Sequence, residues 1–497
     1  MGKTINDLLI EADIRSLQEA MESGELTSEA CVQWYLERIE RFNPKLRAVL
    51  EVNPDAARDA RALDAERVER GSRGPLHGIP LLLKDNIDTG DRMHTSAGSV
   101  ALAEHYALQD SAVAAQLRNA GAVFLGKANM TEWANFMSGT MWAGYSSRGG
   151  LTLNPYGPGE LFVGGSSSGS GSAVTANLCA AAIGTETSGS IISPSSQNGI
   201  VGIKPTIGLV SRKGIIPITH SQDSAGPMTR TVRDAAILLG AMTMMDPADA
   251  AMQDNKRIAY TDYTASLDEK GLRGARIGIP RHYYEGLDEA RAAIIERAIA
   301  LCKEQGAIIV DPVSLPCEKV AWDWGIMQYE FKKGLNDYLA VAGPGASVRT
   351  LDELIAYNEA NREVALKYGQ STLIWSNQTA GTLSEPEYAD NLHRNHEWSR
   401  DQGIDYAIKE YQLDALLFLG NEEGLDLSAR AGYPAITVPG GYAETGIIAE
   451  GGYITKGPQG ITFVGTAYSE PVLFRLAYAY EQASHYRIAP QLSEGEL

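Results

Sequence analysis

Residues 164–192 form a run of glycines and hydroxyl side chains between apolar segments, and this run constrains the fold more than any other stretch. It reads GGSSSGSGSAVTANLCAAAIGTETSGSII. A flexible linker has a similar composition. However, residues 161–163 precede the run as a buried strand would, and residues 173–183 are small, uncharged side chains that are stable only when closely packed. We therefore interpret the run as an active-site segment rather than a linker.

The glycines of this run allow the backbone to approach a ligand closely or to adopt positive φ. N–H groups at the start of a helix near residues 168–172 would favour negative charge, so the segment suits an anion or an oxyanion. Residues 165–169 also fit the pattern G-x-S-x-G, in which Ser167 would be the nucleophile. Because chance supplies this match easily in a run so rich in serine and glycine, the pattern alone does not identify the nucleophile.

A second feature is an apolar run that ends in a lysine, HGIPLLLKDN at residues 77–86. A buried strand here would deliver the Lys84 side chain to a site at its C-terminal end. Alternatively, the lysine lies in solvent and pairs with Asp85. If Lys84 is buried, desolvation lowers the pKa of its amine, and the neutral amine can then act as a base.

Strands and helices alternate along most of the chain. Apolar runs predict strands at residues 122–127, 277–280, 308–310, 415–418, 435–438 and 461–464. Residues 5–42 are predicted to form two helices, the second ended by Asn43 and Pro44, and residues 130–136 the start of another. The alternation predicts an α/β fold with one large domain over residues 1–497. Within it, residues 318–411 look mostly helical and are expected to form a cap or peripheral layer.

The formal net charge of −19 indicates the class of partner. Nucleic acids and anionic membranes demand clustered lysine and arginine, so we expect neither as a partner and favour a small-molecule or peptide substrate. The first twenty residues carry acidic side chains where a signal peptide needs an apolar core, and no stretch reaches transmembrane length. The chain is therefore expected to be cytoplasmic.

Cysteine and histidine spacing gives no metal or disulfide pattern. The four cysteines, Cys31, Cys179, Cys302 and Cys317, are widely and irregularly spaced, so buried free thiols are expected. His393 and His396 are three residues apart on a polar helix, but no metal motif surrounds them. We therefore predict no metal site.

Three motifs in order resemble those of the amidase signature family: GIPLLLKDN, GGSSSGSG and GTETSGSI. Supporting matches are NP at residues 154–155, GIKP at 202–205 and YPAITVPG at 433–440, so the resemblance spans nearly the whole chain. It implies the amidase-signature fold, a large central mixed β-sheet covered by helices on both faces. It also implies an amide hydrolase that needs no metal or organic cofactor.

The resemblance carries over to individual site residues. It implies that Ser190 is the nucleophile, that Lys84 is the base, and that Ser166, on a cis peptide bond, bridges them. The separation of 24 residues between Ser166 and Ser190 agrees with the family pattern, and the family nucleophile does not correspond to Ser167. The implied oxyanion hole consists of four backbone N–H groups, those of Thr187, Ser188, Gly189 and Ser190.

Two positions depart from the family's common pattern. Ser188 stands where the family has glycine, and Ile192 stands where it has arginine. A serine would be strained at position 188 if the backbone there needed positive φ. We expect the loop to tolerate it, with its side chain at the edge of the site. Ile192 removes whatever role the family's arginine plays.

Within the family, the resemblance is to the peptide amidases, which remove the C-terminal amide of peptides. It is carried by residues 131–136, the GSSSGS loop, and residues 184–187 and 208–218. The implied activity is amide hydrolysis through an acyl-enzyme. Two alternatives remain: a broad aryl-acylamidase, esterase or carbamate hydrolase with the same triad, and the glutaminase subunit of a tRNA-dependent amidotransferase complex. Candidate substrate-binding residues are Trp133, Phe136, Met141, Trp142 and Ser167.

Overall fold

The computed structural model describes residues 4–420, 422–450 and 452–492. At its centre is a sheet of eleven strands, and four further strands form two small hairpins. The strands are β1 Val49–Val52, β2 Pro80–Lys84, β3 Val123–Ala128, β4 Tyr145–Ser146, β5 Gly150–Leu151, β6 Ala181–Glu186, β7 Val201–Lys204, β8 Ser224–Thr229, β9 Arg276–Gly278, β10 Ile308–Val310, β11 Ala415–Leu419, β12 Ala435–Ala443, β13 Ile448–Ala449, β14 Gly452–Tyr453 and β15 Gly457–Val464.

The eleven strands of the central sheet lie in the order β1-β3-β2-β6-β8-β7-β12-β15-β11-β9-β10. β2 runs parallel to both β3 and β6. The pairs from β6 through β8, β7, β12 and β15 to β11 are antiparallel, and β11, β9 and β10 are parallel again. The sheet is therefore mixed, and the predicted α/β fold with a large central sheet is confirmed.

Helices occupy most of the connections between these strands. The α-helices are α1 Ile5–Leu9, α2 Ile14–Ser23, α3 Ser28–Leu46, α4 Ala56–Arg70, α5 Ala112–Asn119, α6 Ser168–Thr175, α7 Ile192–Gln197, α8 Val232–Ala241, α9 Glu289–Glu304, α10 Gly325–Ala340, α11 Leu351–Ala360, α12 Arg362–Ala365, α13 Ser371–Asn377, α14 Pro386–His396, α15 Asp405–Glu410, α16 Leu425–Ala431 and α17 Glu470–Ser484. A π-helical segment, Glu397–Ile404, joins α14 to α15.

The central strands are covered on both faces. Every residue of β2, β3, β6, β7, β8 and β11 is buried. Since alternate residues of a strand face opposite sides of a sheet, uninterrupted burial means that neither face of these strands meets solvent. Helix α6 packs against β6, and α9 and α17 pack against β12. All four cysteines are buried free thiols, as predicted.

The N-terminal helices differ from the prediction of two helices ended by Asn43 and Pro44. There are three helices, because Glu11 adopts positive φ and the first predicted helix is divided into α1 and α2. α3 then continues to Leu46 with Pro44 inside it. Pro44 lies in the last turn of α3, so its missing N–H costs one backbone hydrogen bond and leaves the preceding turns of the helix intact. The Asn43 side chain is satisfied outside the helix, since it both donates to and accepts from the backbone of Val49.

Two short predicted elements are also absent as such. Residues 161–163 were expected to form a strand, but only an isolated bridge joins Leu161 to Tyr453. Residues 130–136 were expected to start a helix, but they contain a short 3-10 turn, Glu132–Asn135, in which Trp133 and Ala134 have positive φ. An α-helix cannot pass through left-handed residues, so the chain turns here instead.

Residues 318–411 are helical and contain no strand within this fully described stretch. Many of their apolar side chains form a cluster separate from the core of the sheet, and this cluster includes Phe331 and Leu335 of α10 and Leu373 of α13. Trp133 and Phe136, from the segment after β3, belong to the same cluster. This cluster packs the helices against the segment that follows β3. Ile404 and Ala407 pack instead with strand residues such as Phe418.

Candidate active site

Lys84 is the last residue of β2, and it is fully buried. Its Nζ donates hydrogen bonds to Ser166 Oγ at 2.8 Å and to the carbonyl of Thr185 at 3.0 Å. Burial lowers the pKa of Lys84 to about 7, although the negative charges of Asp223 and Glu186 favour its ammonium form. The solvent-exposed alternative for this lysine was therefore wrong, and a large fraction of the side chain is the neutral amine near pH 7.

Ser166 lies between Lys84 and the loop that carries Ser190. The Gly165–Ser166 peptide bond is cis. The carbonyl of Ser166 accepts the Thr131 N–H at 3.0 Å, and the next N–H, that of Ser167, donates to the carbonyl of Ser190 at 3.1 Å. The glycine-rich run and the loop after β6 are thus joined directly. The structure brings the lysine and both serines that the sequence predicts into one buried site.

The loop from Glu186 to Ile192 has its N–H groups divided between two roles. The Glu186 carboxylate accepts the N–H groups of Ile191 at 2.6 Å and Ile192 at 2.9 Å. The N–H groups of Gly189 and Ser190 donate to no acceptor among the residues that the structure describes. Gly189 has a φ of +81°, a conformation that favours glycine. Unused N–H groups on a fixed loop are suited to bind a negatively charged oxygen.

The two departures from the family pattern are accommodated without strain. Ser188 does not adopt positive φ, because Gly189 takes the left-handed conformation of the loop. The Ser188 hydroxyl donates to the Asp426 carboxylate at 2.5 Å, and so it holds the loop against α16. Ile192 is fully buried in an apolar cluster that includes Phe418 and Val464. Position 192 therefore serves packing in this chain.

Ser167 is buried, and its hydroxyl is occupied by the backbone of β6. It donates to the carbonyl of Thr185 at 3.0 Å and accepts the N–H of the same residue at 3.2 Å. Both bonds tie the glycine-rich run to the strand that leads into the Ser190 loop. A role for Ser167 in substrate binding stays a prediction, and the structure adds this positional role.

A cavity of about 410 Å³ adjoins the end of β6. Its walls come from the end of β6, from residues 212–220, from residues 248–250 and from α10. Lining residues are Asn86, Ala134, Thr185, Glu186, Thr187, Arg212, Lys213, Ile215, Ile216, Pro217, Ile218, Thr219, His220, Asp223, Ser224, Ala248, Asp249, Ala250, Gly334, Asp337 and Tyr338. Its lining combines apolar side chains, among them the isoleucines and the proline, with acidic and basic ones.

The candidate substrate-binding aromatics do not line this cavity. Trp133 and Phe136 lie in the apolar cluster under the helical region, where the Phe136 ring is 4.8 Å from that of Phe331. Met141 packs against the same cluster, and the Trp142 ring lies 5.4 Å from that of Phe162. Their role in binding substrate stays a prediction, and Ala134 is the residue of this segment that reaches the cavity.

Asp223, Asn86 and Tyr338 are cavity residues that the sequence alone does not identify as functional. Asp223 accepts hydrogen bonds from Thr187 and from the backbone of the cavity wall. Asn86 donates to the Thr185 hydroxyl at 3.0 Å, and Tyr338 reaches the cavity from α10. Only Asn86 had a local signal, because it follows Lys84 and Asp85 in the first motif.

The described residues contain neither a cluster of metal ligands nor a membrane-spanning helix. Among them, no group of three or more histidine, cysteine, aspartate or glutamate side chains is arranged to hold a metal ion. No helix between residues 4 and 492, with residues 421 and 451 left aside, has the length and apolar character needed to span a membrane. His396 is largely enclosed, and burial lowers the pKa of its imidazole to about 4.

Comparison with known proteins places this chain in a family. The profile of the Amidase family matches residues 30–419. A protein described as a probable amidase from Arabidopsis thaliana is 41% identical over 97% of this chain and 91% of its own length. One component of the glutamyl-tRNA(Gln) amidotransferase of Sinorhizobium medicae is 34% identical over 96% of this chain and 98% of its own.

A solved structure extends the likeness to three dimensions. The X-ray structure of peptide amidase from Stenotrophomonas maltophilia superimposes with a TM-score of 0.87 at 44% identity, covering 97% of this chain and 98% of that one. The predicted amidase-signature fold is thereby confirmed. The chain belongs to the amidase signature family, and it is an amide-hydrolysing enzyme.

Proposed function

We propose that the protein hydrolyses linear amides, above all the C-terminal amides of peptides, with Ser190 as nucleophile, Ser166 as proton relay and Lys84 as base. The observation that carries the proposal is the fully buried Lys84, whose Nζ lies 2.8 Å from Ser166 Oγ and whose pKa is lowered to about 7. A lysine with an ordinary pKa would hold its proton at neutral pH and would not accept another.

The chemistry proceeds in two halves. Ser190 Oγ attacks the amide carbon while its proton passes through the Ser166 hydroxyl to neutral Lys84. The tetrahedral adduct then collapses, and the proton returns along the same path to the departing nitrogen, which leaves as ammonia or an amine. Water attacks the resulting acyl-enzyme ester with the same base, which releases the carboxylic acid and restores Ser190.

The oxyanion of the tetrahedral adduct needs donors that are already in place. The backbone N–H groups of Thr187, Ser188, Gly189 and Ser190 are proposed for this role. The Glu186 carboxylate supports it, because it holds the far side of the loop through Ile191 and Ile192. Loss of one such donor commonly lowers the rate by about 10²–10³, so the geometry of this loop matters as much as the serines.

A peptide-amide substrate is favoured over a broader range by two facts. The chain is 44% identical to a peptide amidase over nearly its full length. The cavity beside β6 is of the size that small-molecule and peptide side-chain sites have, and its wall at residues 215–218 is apolar. The net charge of −19 argues against a nucleic-acid substrate and fits a small molecule or peptide met in the cytoplasm.

We also propose that the helical residues 318–411 form a layer over the entrance to the site, within one domain that spans the chain. Helix α10 contributes Gly334, Asp337 and Tyr338 to the wall of the cavity. A substrate in the cavity would therefore contact both the sheet and these helices.

The test is ammonia release from an N-acylated dipeptide amide by the wild type, Ser190→Ala and Lys84→Ala. Both variants are expected to lose activity, while each remains folded by circular dichroism. Ser172→Ala is the matched control, because this buried serine lies in the same run but its hydroxyl donates to the Leu153 carbonyl at 2.8 Å. It is expected to retain activity. Full activity in Ser190→Ala would contradict the proposal.

The alternatives give different outcomes in the same assay. If the wild type cleaves an anilide or carbamate but releases no ammonia from the peptide amide, the proposed triad is retained. The proposed substrate class would then be wrong. If the wild type cleaves neither the peptide amide nor the anilide nor the carbamate, a role inside an amidotransferase complex is favoured. The 34% identity to the Sinorhizobium medicae amidotransferase component supports that alternative. Copurification of partner proteins would then be the decisive observation.

A further inference from the structure

Asp223 connects three parts of the candidate site through its carboxylate. Oδ1 accepts the Thr187 hydroxyl at 2.5 Å, at the start of the Ser190 loop. Oδ2 accepts the N–H groups of Ile218 at 2.8 Å and Thr219 at 3.0 Å, which belong to the cavity wall. The same carboxylate is the first of the two anions that favour the ammonium form of Lys84. Asp223 thus combines a contact to this loop, contacts to the wall and an influence on the base.

Other charged groups surround this pair. The negative charges of Asp223 and Glu186 both act on Lys84, and the Glu186 carboxylate accepts the N–H groups of Ile191 and Ile192. Asp223 is also influenced by the guanidinium of Arg212, which forms an ion pair with Asp249. The remaining charged or titratable side chains at this wall are Lys213, His220, Asp337 with its partner Lys333, Tyr338, and Glu330 behind His220.

We propose that Asp223 is a positioning residue for amide hydrolysis, which fixes the oxyanion loop against the cavity wall and stabilises the positive charge that Lys84 acquires during the reaction. The inference rests on the proposed function, since it needs Lys84 as the base. The four hydrogen bonds to Asp223, which include a weak one from the Thr219 hydroxyl at 3.4 Å, leave little of its carboxylate free for substrate.

The electrostatic role of Asp223 follows from the change of charge at Lys84 during the reaction. When Ser190 attacks, a neutral lysine becomes an ammonium inside a buried site, and an enclosed cation without a partner is costly. Asp223 supplies the opposite charge, and burial raises the pKa of its own carboxyl only to about 6, so it is ionised at the pH where Lys84 is neutral. Each group is therefore in the form that the reaction requires just above pH 7.

The test compares the pH dependence of kcat/KM in Asp223→Asn and Thr187→Val. Asp223→Asn removes the charge, so the pKa of Lys84 falls, and the midpoint of the acid limb is expected to move down by about one pH unit while kcat decreases. Thr187→Val removes one hydrogen bond and keeps the charge. It is expected to lower kcat without moving the midpoint. Asp223→Ser, which also removes the charge, replaces Asp223→Asn if that variant does not fold.

The outcomes separate this inference from the function on which it rests. A Lys84-dependent activity whose acid limb stays in place in Asp223→Asn overturns the electrostatic role of Asp223. An equal displacement of the limb in Thr187→Val would overturn it too, because loop position and not charge would then set the midpoint. Undiminished activity in Lys84→Ala would overturn both the proposed function and the inference.

Discussion

The Glu186 carboxylate accepts the backbone N–H of Ile191 at 2.6 Å, and the same oxygen accepts the next N–H, that of Ile192, at 2.9 Å. Glu186 ends β6, and Ile192 begins α7. The turn between them carries Gly189 and Ser190. One side chain therefore closes the loop on which the proposed nucleophile lies.

Replacing this carboxylate is expected to slow catalysis more than it weakens substrate binding. Glu186→Gln keeps an acceptor oxygen but loses the charge that strengthens both bonds, which costs about 1–2 kcal/mol and loosens the turn. We expect a lower kcat with little change in KM, measured on a dipeptide amide. A raised KM at unchanged kcat would instead place Glu186 in substrate binding.

The pH dependence of kcat/KM is expected to follow the protonation of Lys84. Burial lowers the pKa of this amine from its usual 10.5 to about 7. Below that value the ammonium cannot accept the Ser190 proton, so the rate falls about tenfold for each unit of pH, and above it the rate reaches a plateau. Initial rates between about pH 5 and pH 9 would show this limb. A rate that still rises about tenfold for each unit of pH at pH 9 would mean that Lys84 is not the base, or that its pKa is not lowered.

Replacing Ser167 distinguishes a role in aligning the site from a role in substrate binding. Ser167→Ala removes both hydrogen bonds to the Thr185 backbone and is expected to lower the free energy of unfolding by about 1–3 kcal/mol. Because those bonds also align the two halves of the site, kcat should decrease while KM stays nearly constant. Urea unfolding and steady-state kinetics measure the two effects. An increase in KM without loss of stability would favour the predicted role in substrate binding.

The sequence predicts those parts of the fold and of the site that depend on short, contiguous segments. The run that ends in Lys84 and the alternation of apolar and helical stretches are local patterns, and both correspond to elements of the structure. Family motifs added Ser166 and Ser190, which the serine-rich run alone could not single out. The charged lysine at a strand end remained ambiguous until the structure gave its burial.

What the sequence could not predict depends on contacts between distant segments. Asp223 meets Thr187 across 36 residues, and Tyr338 meets Asp88 across 250. No local pattern identifies such partners, because they are set by how β6, β8 and α10 pack. The left-handed backbone at Trp133 and Ala134 could not be predicted from local sequence either. Both residue types have good helix or strand propensity, and tertiary packing overrides that propensity.

Glu132 predicts a pH-dependent stability near the site. It is fully buried with both oxygens on Ser147, and burial raises the pKa of its carboxyl to about 7. Because the pKa of Glu132 is higher in the folded state, its protonated carboxyl contributes to the free energy of unfolding. This contribution is fully present below about pH 4.5 and is lost as the pH rises through 7, a loss of up to about 3 kcal/mol.

Glu132→Gln should therefore be more stable than the wild type at pH 8 and about equally stable near pH 4.5. The glutamine amide can still accept from the Ser147 N–H and donate to its hydroxyl, so the local contacts are retained. Thermal or urea unfolding at the two pH values measures the difference. A constant difference at both would show that ionisation of Glu132 does not control stability.

Tyr338 tests whether α10 belongs to the substrate site. Tyr338 lines the cavity, and its hydroxyl donates to Asp88 Oδ1 at 2.7 Å, on the segment that follows β2. Tyr338→Phe keeps the ring and removes the bond, so we expect a loss of about 1–2 kcal/mol in stability with KM unchanged. Tyr338→Ala also enlarges the cavity and should raise KM for a dipeptide amide. If both variants change KM equally, the hydrogen bond shapes the site and the ring does not contact substrate.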